Sequence, residues 1–156
     1  MRFEADGGAF ALTAKADRIE LTHDGFAHVL DFKTGHVPSP KEVATGFSPQ
    51  LSLTAAIIAA GGFQAVGRAA PGDLVYLRVT GRRPAGEEIV RAAAGAESAD
   101  VAARALAGLA RLIDRFDDAD HPYRSRIAPQ FVKAYRSDFD HLARVGEWSA
   151  LEEDEG

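Results

Sequence analysis

Two strand-like stretches meet at the dipeptide Asp24-Gly25, and this junction restricts the fold more than any other feature. Over residues 9–21 apolar side chains recur at every second position, with a change of phase at Asp17 that is typical of a bulge or a bend. Residues 27–33 follow as a second strand, and Asp-Gly is a strong hairpin signal. We therefore predict two antiparallel strands joined by a tight turn.

Helix start signals follow this hairpin. Ser39-Pro40-Lys41-Glu42 combines a serine N-cap, a proline at the first helical position and a glutamate three residues after the cap. This capping box predicts a short helix that ends near Thr45. Ser48-Pro49 repeats the start signal before an alanine-rich stretch, and it predicts a second helix over residues 49–60 with Gln50 in its first turn.

The next part of the chain indicates one more strand and one long helix. Residues 74–80 are mostly apolar and predict a strand, whereas residues 81–96 are expected to form a loop. Ser98 is the expected N-cap of a long helix with one apolar face. A last short helix is expected near residues 139–145. This order predicts an α/β fold in which helices flank a mixed sheet.

Length and composition favour one soluble domain. The 156 residues and 16.6 kDa suit a single domain over residues 1–149, followed by a solvated acidic tail over residues 150–156. Without the acids of this tail the net charge of −5 nearly vanishes, so charge neither favours nor excludes a nucleic-acid partner. The chain has no cysteine, no secretory signal pattern and no long apolar run, so we expect a cytoplasmic protein with no membrane contact.

The most informative chemical pair is Asp31 and Lys33. Residues two apart on a strand leave the same face, so a carboxylate and an ammonium converge there, and Asp17 on the neighbouring strand adds a second carboxylate. Two carboxylates and a lysine suit metal-assisted phosphodiester hydrolysis. The pair alone is weak support, because chance produces such a pair in a chain of this composition and an exposed ion pair explains both residues.

The order of the surrounding segments adds the specificity that the pair lacks. Ala16-Asp17-Arg18-Ile19-Glu20, Val29-Leu30-Asp31-Phe32-Lys33-Thr34-Gly35 and Ser48-Pro49-Gln50-Leu51 follow one another along the chain. In this order they resemble the PD-(D/E)XK nuclease superfamily, its RecB-like members, and most closely the nuclease domain of AddB-type helicase-nuclease subunits. The segment over residues 139–149 is also similar to the end of that subunit. The resemblance implies a restriction-endonuclease-like α/β fold.

The resemblance also implies roles for individual residues. It makes Asp17 and Asp31 the carboxylates that hold Mg²⁺ or Mn²⁺, with the main-chain carbonyl of Phe32 as a further ligand. It makes Lys33 the residue that positions the attacking water, and it makes Gln50 the helix residue that orients the lysine or contacts DNA. The alternative for Gln50 is a polar residue that caps its own helix.

The resemblance further implies a DNA nuclease of double-strand break repair and recombination. Its partners would be single-stranded DNA, an AddA-like helicase-nuclease subunit and the rest of its own subunit. The alternatives are a catalytically inactive DNA-binding or assembly module of the same fold, and an unrelated α/β domain in which Asp31 and Lys33 form a surface ion pair.

Three departures from the family pattern affect these expectations. Thr54 stands where the family has a tyrosine four residues after the glutamine. The cysteines that bind an iron-sulfur cluster in many AddB-type domains are absent, so we expect no such cluster. The strand motif begins close to Met1 without the usual preceding helix, so we expect the chain to be part of a longer subunit.

Other candidate sites have weaker support. The five histidines have no ligand-like spacing, and His28 is expected on the opposite strand face from Asp31, which disfavours a zinc site. No phosphate-binding glycine loop and no serine nucleophile motif is present. Two groups of arginines are candidates for phosphate contacts or are solvated surface: Arg78, Arg82 and Arg83, and Arg124 with Arg126.

Overall fold

A computed structural model describes residues 1–5 and 8–122 of the chain. The chain divides into two compact units, Met1–Asp118 and Ala119–Gly156, and every described strand and helix belongs to the first. The expected helix near residues 139–145 and the acidic tail over residues 150–156 lie outside the described residues. The single domain over residues 1–149 therefore stays a prediction.

The described part of the chain forms two sheets and three helices. Strands β1 (Arg2–Ala5) and β2 (Gly8–Ala11) form an antiparallel pair. The larger sheet has the order β3-β4-β5-β6, with β4 and β5 parallel and both outer pairs antiparallel, which confirms the mixed sheet. Its strands are β3 (Arg18–Leu21), β4 (Phe26–Lys33), β5 (Ala70–Val79) and β6 (Gly86–Ala92). The helices are α1 (Pro40–Ala44), α2 (Gln50–Ala59) and α3 (Ala96–Asp117).

The turn at Asp24-Gly25 joins β3 to β4 as predicted. Gly25 has a φ of +86°, a backbone conformation that is unfavourable for residues with a Cβ atom, and the flanking strands pair antiparallel. The single strand expected over residues 9–21 is wrong. Its first part pairs with β1 and its second part pairs with β4, with a non-strand segment over residues 12–17 between them. The alternation there is not matched by burial, because Thr13, Ala14 and Lys15 are all exposed.

The connection from β4 to β5 contains α1 and α2, because parallel strands need a long crossover. The capping box of α1 is present: Ser39 Oγ accepts from the Glu42 amide, and Glu42 Oε2 accepts from the Ser39 amide at 2.7 Å. The second helix begins at Gln50 with Pro49 as its N-cap, so Ser48 does not cap it.

The core lies between the sheet and α2 and α3. Along β4, Ala27, Val29 and Asp31 are buried on one face, and the same face of β5 carries Leu74 and Tyr76. Helix α2 covers this face with a continuous apolar surface. Its buried apolar residues are Leu51, Ala55, Ala56, Ile57 and Ile58. Among the described residues no helix is long and apolar enough to cross a membrane.

A close approach between β4 and β5 requires a glycine. A Cβ atom at Gly72 would lie 2.7 Å from the carbonyl carbon of Ala27 and from the amide nitrogen of His28. The register between the strands shifts at this place, between Ala27 and Val29. Gly72 therefore permits the backbone contact that begins the parallel pairing.

Three further differences from the sequence predictions concern edges and ends. Strand β1 was not predicted. The loop expected over residues 81–96 contains the edge strand β6. Its exposed Glu87 and Glu88 interrupt the apolar alternation by which a strand is identified in a sequence. Ser98 was expected as the N-cap of α3, but that position belongs to Gly95. Ser98 lies inside the helix, and its hydroxyl donates to the Pro71 carbonyl at 2.8 Å.

We expect Ser98→Ala to lower the free energy of unfolding by about 1 kcal/mol, because it removes a buried hydrogen bond between α3 and β5. Ser52→Ala is the matched control. Ser52 is equally buried, but its hydroxyl donates only to the Pro49 carbonyl, which already accepts from the Leu53 amide. Urea denaturation should show the larger loss for Ser98→Ala, and equal losses would contradict this role.

Candidate active site

The carboxyl end of β4 places Asp31 and Lys33 on the face that α2 covers. Asp31 is only 3% exposed, and its Oδ2 lies 2.6 Å from Lys33 Nζ. This contact is a close ion pair, and apart from Lys33 no group among the described residues donates a hydrogen bond to the buried Oδ2. An ionised carboxylate oxygen has more than one lone pair, so Oδ2 can accept a further partner beside Lys33.

Gln50 holds the lysine from the other side. It is the first residue of α2, and its Oε1 accepts a hydrogen bond from Lys33 Nζ at 3.3 Å. The alternative for Gln50 was a cap on its own helix, but its Oε1 accepts from Lys33, and α2 has Pro49 at its N-cap with no side-chain cap hydrogen bond there. The ammonium of Lys33 thus uses two directions for Asp31 and Gln50, and an ammonium has three N–H donors.

Tyr76 completes the surroundings of the lysine. It pairs with Asp31 in the register of β4 and β5, is fully buried, and its ring centroid lies 5.5 Å from Lys33 Nζ. The guanidinium of Arg91 lies 5.9 Å from the same ring. Burial, and secondly the charge of Asp31, raise the pKa of Tyr76 to about 12, so the phenol is neutral at physiological pH.

Sequence reasoning did not identify Tyr76 as a site residue. The strand that contains it was predicted, but the position of Tyr76 beside Asp31 depends on the register between β4 and β5. This register is fixed by tertiary packing between residues far apart in the chain.

Asp17 reaches the same place from the loop before β3. Its Oδ2 accepts a hydrogen bond from the Phe32 amide at 3.1 Å, which brings this carboxylate next to the peptide unit that joins Asp31 and Phe32. The structure therefore brings together the five residues that the sequence and the family resemblance assign to the site. They are Asp17, Asp31, Phe32, Lys33 and Gln50.

The donor atoms at this place fit a hard divalent cation. Asp17 and Asp31 supply carboxylates, and the Phe32 carbonyl belongs to the same stretch of backbone, so the set consists of hard oxygen donors. Within residues 1–5 and 8–122 no cluster of three or more His, Asp or Glu side chains could bind a metal. A cation here would thus depend on two carboxylates, a carbonyl and water.

The other candidates make contacts outside this cluster or lie outside the described residues. The amide of Asp73 donates to His28 Nδ1 at 2.8 Å, and His28 stands on the opposite face of β4 from Asp31. Arg78 pairs with Lys33 in the strand register, but its nearest carboxylate is Glu87 at 4.0 Å. Arg82 and Arg83 are exposed in the β5–β6 connection, and Arg124 and Arg126 lie outside the described residues.

The interpretation of Asp31 and Lys33 as a surface ion pair does not fit the structure. The side chain of Asp31 is 4% exposed and that of Lys33 is 27% exposed. A nearly buried carboxylate with an incomplete set of partners is more typical of a functional site than of a solvated ion pair.

Sequence comparison identifies the family of the chain that carries this cluster. Residues 1–126 match the sequence profile of the PD-(D/E)XK nuclease superfamily, and this match spans more than half of the chain. The chain belongs to the PD-(D/E)XK nuclease superfamily. Members of this superfamily are generally nucleases that hydrolyse phosphodiester bonds with divalent metal ions.

Shorter matches connect the PD-(D/E)XK chain to long bacterial proteins. It is 35% identical over 63 residues to an uncharacterized protein of Rickettsia felis, a match over 40% of this chain and 7% of that protein. It is 44% identical over 48 residues to an uncharacterized protein of Rickettsia bellii, over 31% of this chain and 6% of that protein. The matched segments thus span less than a tenth of these relatives. No solved structure matches the chain significantly.

One departure of this PD-(D/E)XK domain from the expected pattern has a structural explanation. Thr54 stands where a DNA-contacting tyrosine was expected, and it is only 2% exposed within the covered face of α2. A residue at this position contributes to the core, so Thr54 offers no surface to a ligand.

We expect a double-mutant cycle of Asp31→Asn and Lys33→Met to show a coupling of about 1–2 kcal/mol in the free energy of unfolding without metal. Lys33→Met should be the more destabilising single change, because it leaves Asp31 charged, buried and without its cation. Urea denaturation in EDTA measures each variant. A coupling near zero would contradict the buried ion pair.

Proposed function

We propose that this PD-(D/E)XK domain is a metal-dependent DNA nuclease that uses Asp17, Asp31, Lys33 and Gln50. The observation that carries the proposal is the position of the Lys33 ammonium. It lies 2.6 Å from Asp31 Oδ2 and donates to Gln50 Oε1 at 3.3 Å, beside two carboxylates that fit a divalent cation. These parts are what water needs to attack a phosphodiester.

Lys33 acts as an electrostatic group in this proposal. Asp31, Gln50 and the ring of Tyr76 fix its ammonium from three directions, which reduces the cost of orienting the charge during the reaction. The third N–H donor can point to a phosphate oxygen or to the attacking water. A fixed cation stabilises the negative charge that develops on the phosphate oxygens in the transition state.

The two aspartates supply the negative charge that a cation needs. Asp17 is held by the Phe32 amide, and the buried carboxylate of Asp31 is paired with Lys33. A bound Mg²⁺ or Mn²⁺ would polarise the phosphate and lower the pKa of a water ligand. Both aspartates and the Phe32 carbonyl are its proposed ligands.

Gln50 and Tyr76 are positioning residues. Gln50 accepts from Lys33 but carries no charge, so it directs the ammonium without neutralising it. Tyr76 places an aromatic face 5.5 Å from Lys33 Nζ, a distance suited to a cation–π contact.

We further propose that the domain acts on single-stranded DNA within an AddAB-type helicase-nuclease of double-strand break repair. The similarity of the Asp17, Asp31-to-Lys33 and Gln50 segments to AddB-type nuclease domains supports this role. A helicase partner would deliver the strand, which suits a chain whose net charge is −5.

We expect the chain to cleave labelled single-stranded DNA in Mn²⁺ or Mg²⁺ and to be inactive in EDTA. Asp31→Asn, Asp17→Asn and Lys33→Ala should each lower the rate by roughly 100-fold or more, because each removes a group that acts on the transition state. Gln50→Ala should lower it by roughly 10-fold, since the lysine remains but loses its orientation.

Asp117→Asn and Lys41→Ala are matched controls, because they remove the same charges from exposed positions outside the cluster. Both should cleave at the wild-type rate. Cleavage that survives in Asp31→Asn and Lys33→Ala would contradict the site. A wild-type chain that binds DNA but cleaves none would favour the inactive DNA-binding module.

A further inference from the structure

A groove of about 650 Å³ lies beside the proposed site, within the unit Met1–Asp118. Helix α3 forms one side, and α1 with the amino end of α2 forms the other. Nothing in the proposed catalytic cluster requires this groove, since none of Asp17, Asp31, Lys33 or Gln50 lines it.

The groove is strongly positive along one side. Arg104, Arg111 and Arg115 of α3 line it, and positions separated by seven and four residues share one stripe of an α-helix. These three residues extend over roughly 16 Å of the helix, at 1.5 Å per residue. Arg91 of β6 adds a fourth guanidinium, whereas Glu97 is the one acidic residue among the described residues of the lining.

Most of this charge is available to a ligand. Within residues 1–5 and 8–122, no ion pair joins Arg111 or Arg115 to another side chain, although Arg104 pairs with Asp100 at 2.8 Å. Arg91 uses its Nε to donate to the Pro38 carbonyl at 2.9 Å, which orients the guanidinium and leaves its terminal N–H groups.

Apolar side chains lie between the charges. Leu112 of α3 is 48% exposed, and Leu53 of α2 lies across the groove. The other apolar lining residues include Val43, Val101 and Leu109. A ligand with both negative charges and flat apolar surfaces would satisfy this combination. A single DNA strand has both, whereas duplex DNA presents its phosphates outward and hides the faces of its bases.

The groove lies close to the proposed site. Arg91 lines the groove and lies 5.9 Å from the Tyr76 ring, and Lys33 Nζ lies 5.5 Å from the same ring. Pro49 also lines the groove and directly precedes Gln50, the hydrogen-bond partner of Lys33. Arg91 of the groove and the proposed catalytic lysine therefore lie near the same buried ring, which brings the groove close to the site.

We propose that this groove binds a single DNA strand and guides it to Lys33, with the phosphates on Arg91, Arg111 and Arg115 and the bases against the apolar residues. This inference rests on the proposed nuclease function and specifies the path of its substrate. The arginine stripe is long enough to contact several consecutive phosphates.

The test measures binding of a fluorescent oligothymidylate of roughly 12 nucleotides, a length within the range of single-strand sites. Anisotropy is recorded in EDTA, so that no cleavage occurs. Arg111→Ala with Arg115→Ala should weaken binding by about tenfold, and the slope of log K against log salt should fall by roughly 1.4, since two phosphate contacts are lost.

A matched control removes two positive charges elsewhere. Arg2→Ala with Arg68→Ala changes exposed residues near the carboxyl end of α2, where Arg68 lies against Gly61 and the chain start lies near Gly62. This end of a 10-residue helix is roughly 15 Å from Gln50. The control double variant should bind like the wild type, and circular dichroism should show that both variants are folded.

The outcomes separate this inference from the proposed function. One outcome is that the wild type cleaves DNA and the double variant with Arg111→Ala and Arg115→Ala binds and cleaves equally well. The proposed DNA path through the groove is then wrong, whereas the proposed nuclease activity is supported. If both double variants bind the oligonucleotide equally weakly, the loss reflects the overall charge of the protein, and this result would also overturn the proposed DNA path through the groove. A wild-type protein that neither binds nor cleaves DNA would overturn both the proposed nuclease activity and the proposed DNA path through the groove. Tighter binding of an acidic peptide than of the oligonucleotide would assign the groove to a protein partner instead.

Discussion

The ion pair between Asp31 and Lys33 is the interaction on which the rest of the site depends. It places a charge in a face of the sheet that is otherwise occupied by Val29, Leu74 and the helix α2. A buried charge persists only when other groups compensate for the lost water. Lys33, with Gln50 and the ring of Tyr76 around its ammonium, supplies this compensation, and the proposed cation beside the carboxylates would add to it.

The topology explains how these groups meet. Strands β4 and β5 are parallel, so their carboxyl ends lie at the same edge of the sheet, and the crossover between them returns through α1 and α2. The amino end of α2 therefore places Gln50 over the end of β4, and β5 places Tyr76 next to Asp31. The close approach at Gly72 helps to fix the strand register that makes this pairing possible.

Much of this arrangement could be predicted from local signals. The Asp24-Gly25 turn and the capping box at Ser39 are strong because each is decided within four residues, and both are confirmed. Strand β6 was missed because an exposed edge strand carries charged residues in place of a clear apolar alternation. Ser98 was misassigned because a buried serine that bonds a distant carbonyl resembles a cap in the sequence. Tyr76 required the strand register, which no local pattern encodes.

The central claim is that Asp17, Asp31 and the Phe32 carbonyl hold a divalent cation beside Lys33. Paramagnetic broadening by substoichiometric Mn²⁺ in ¹⁵N-labelled protein tests it most directly. The account predicts selective loss of the amide signals of Asp31, Phe32 and Lys33, with Ala59 at the far end of α2 unaffected, and no such loss in Asp31→Asn. Broadening confined to the acidic residues 152–155, or unchanged in Asp31→Asn, would contradict the site.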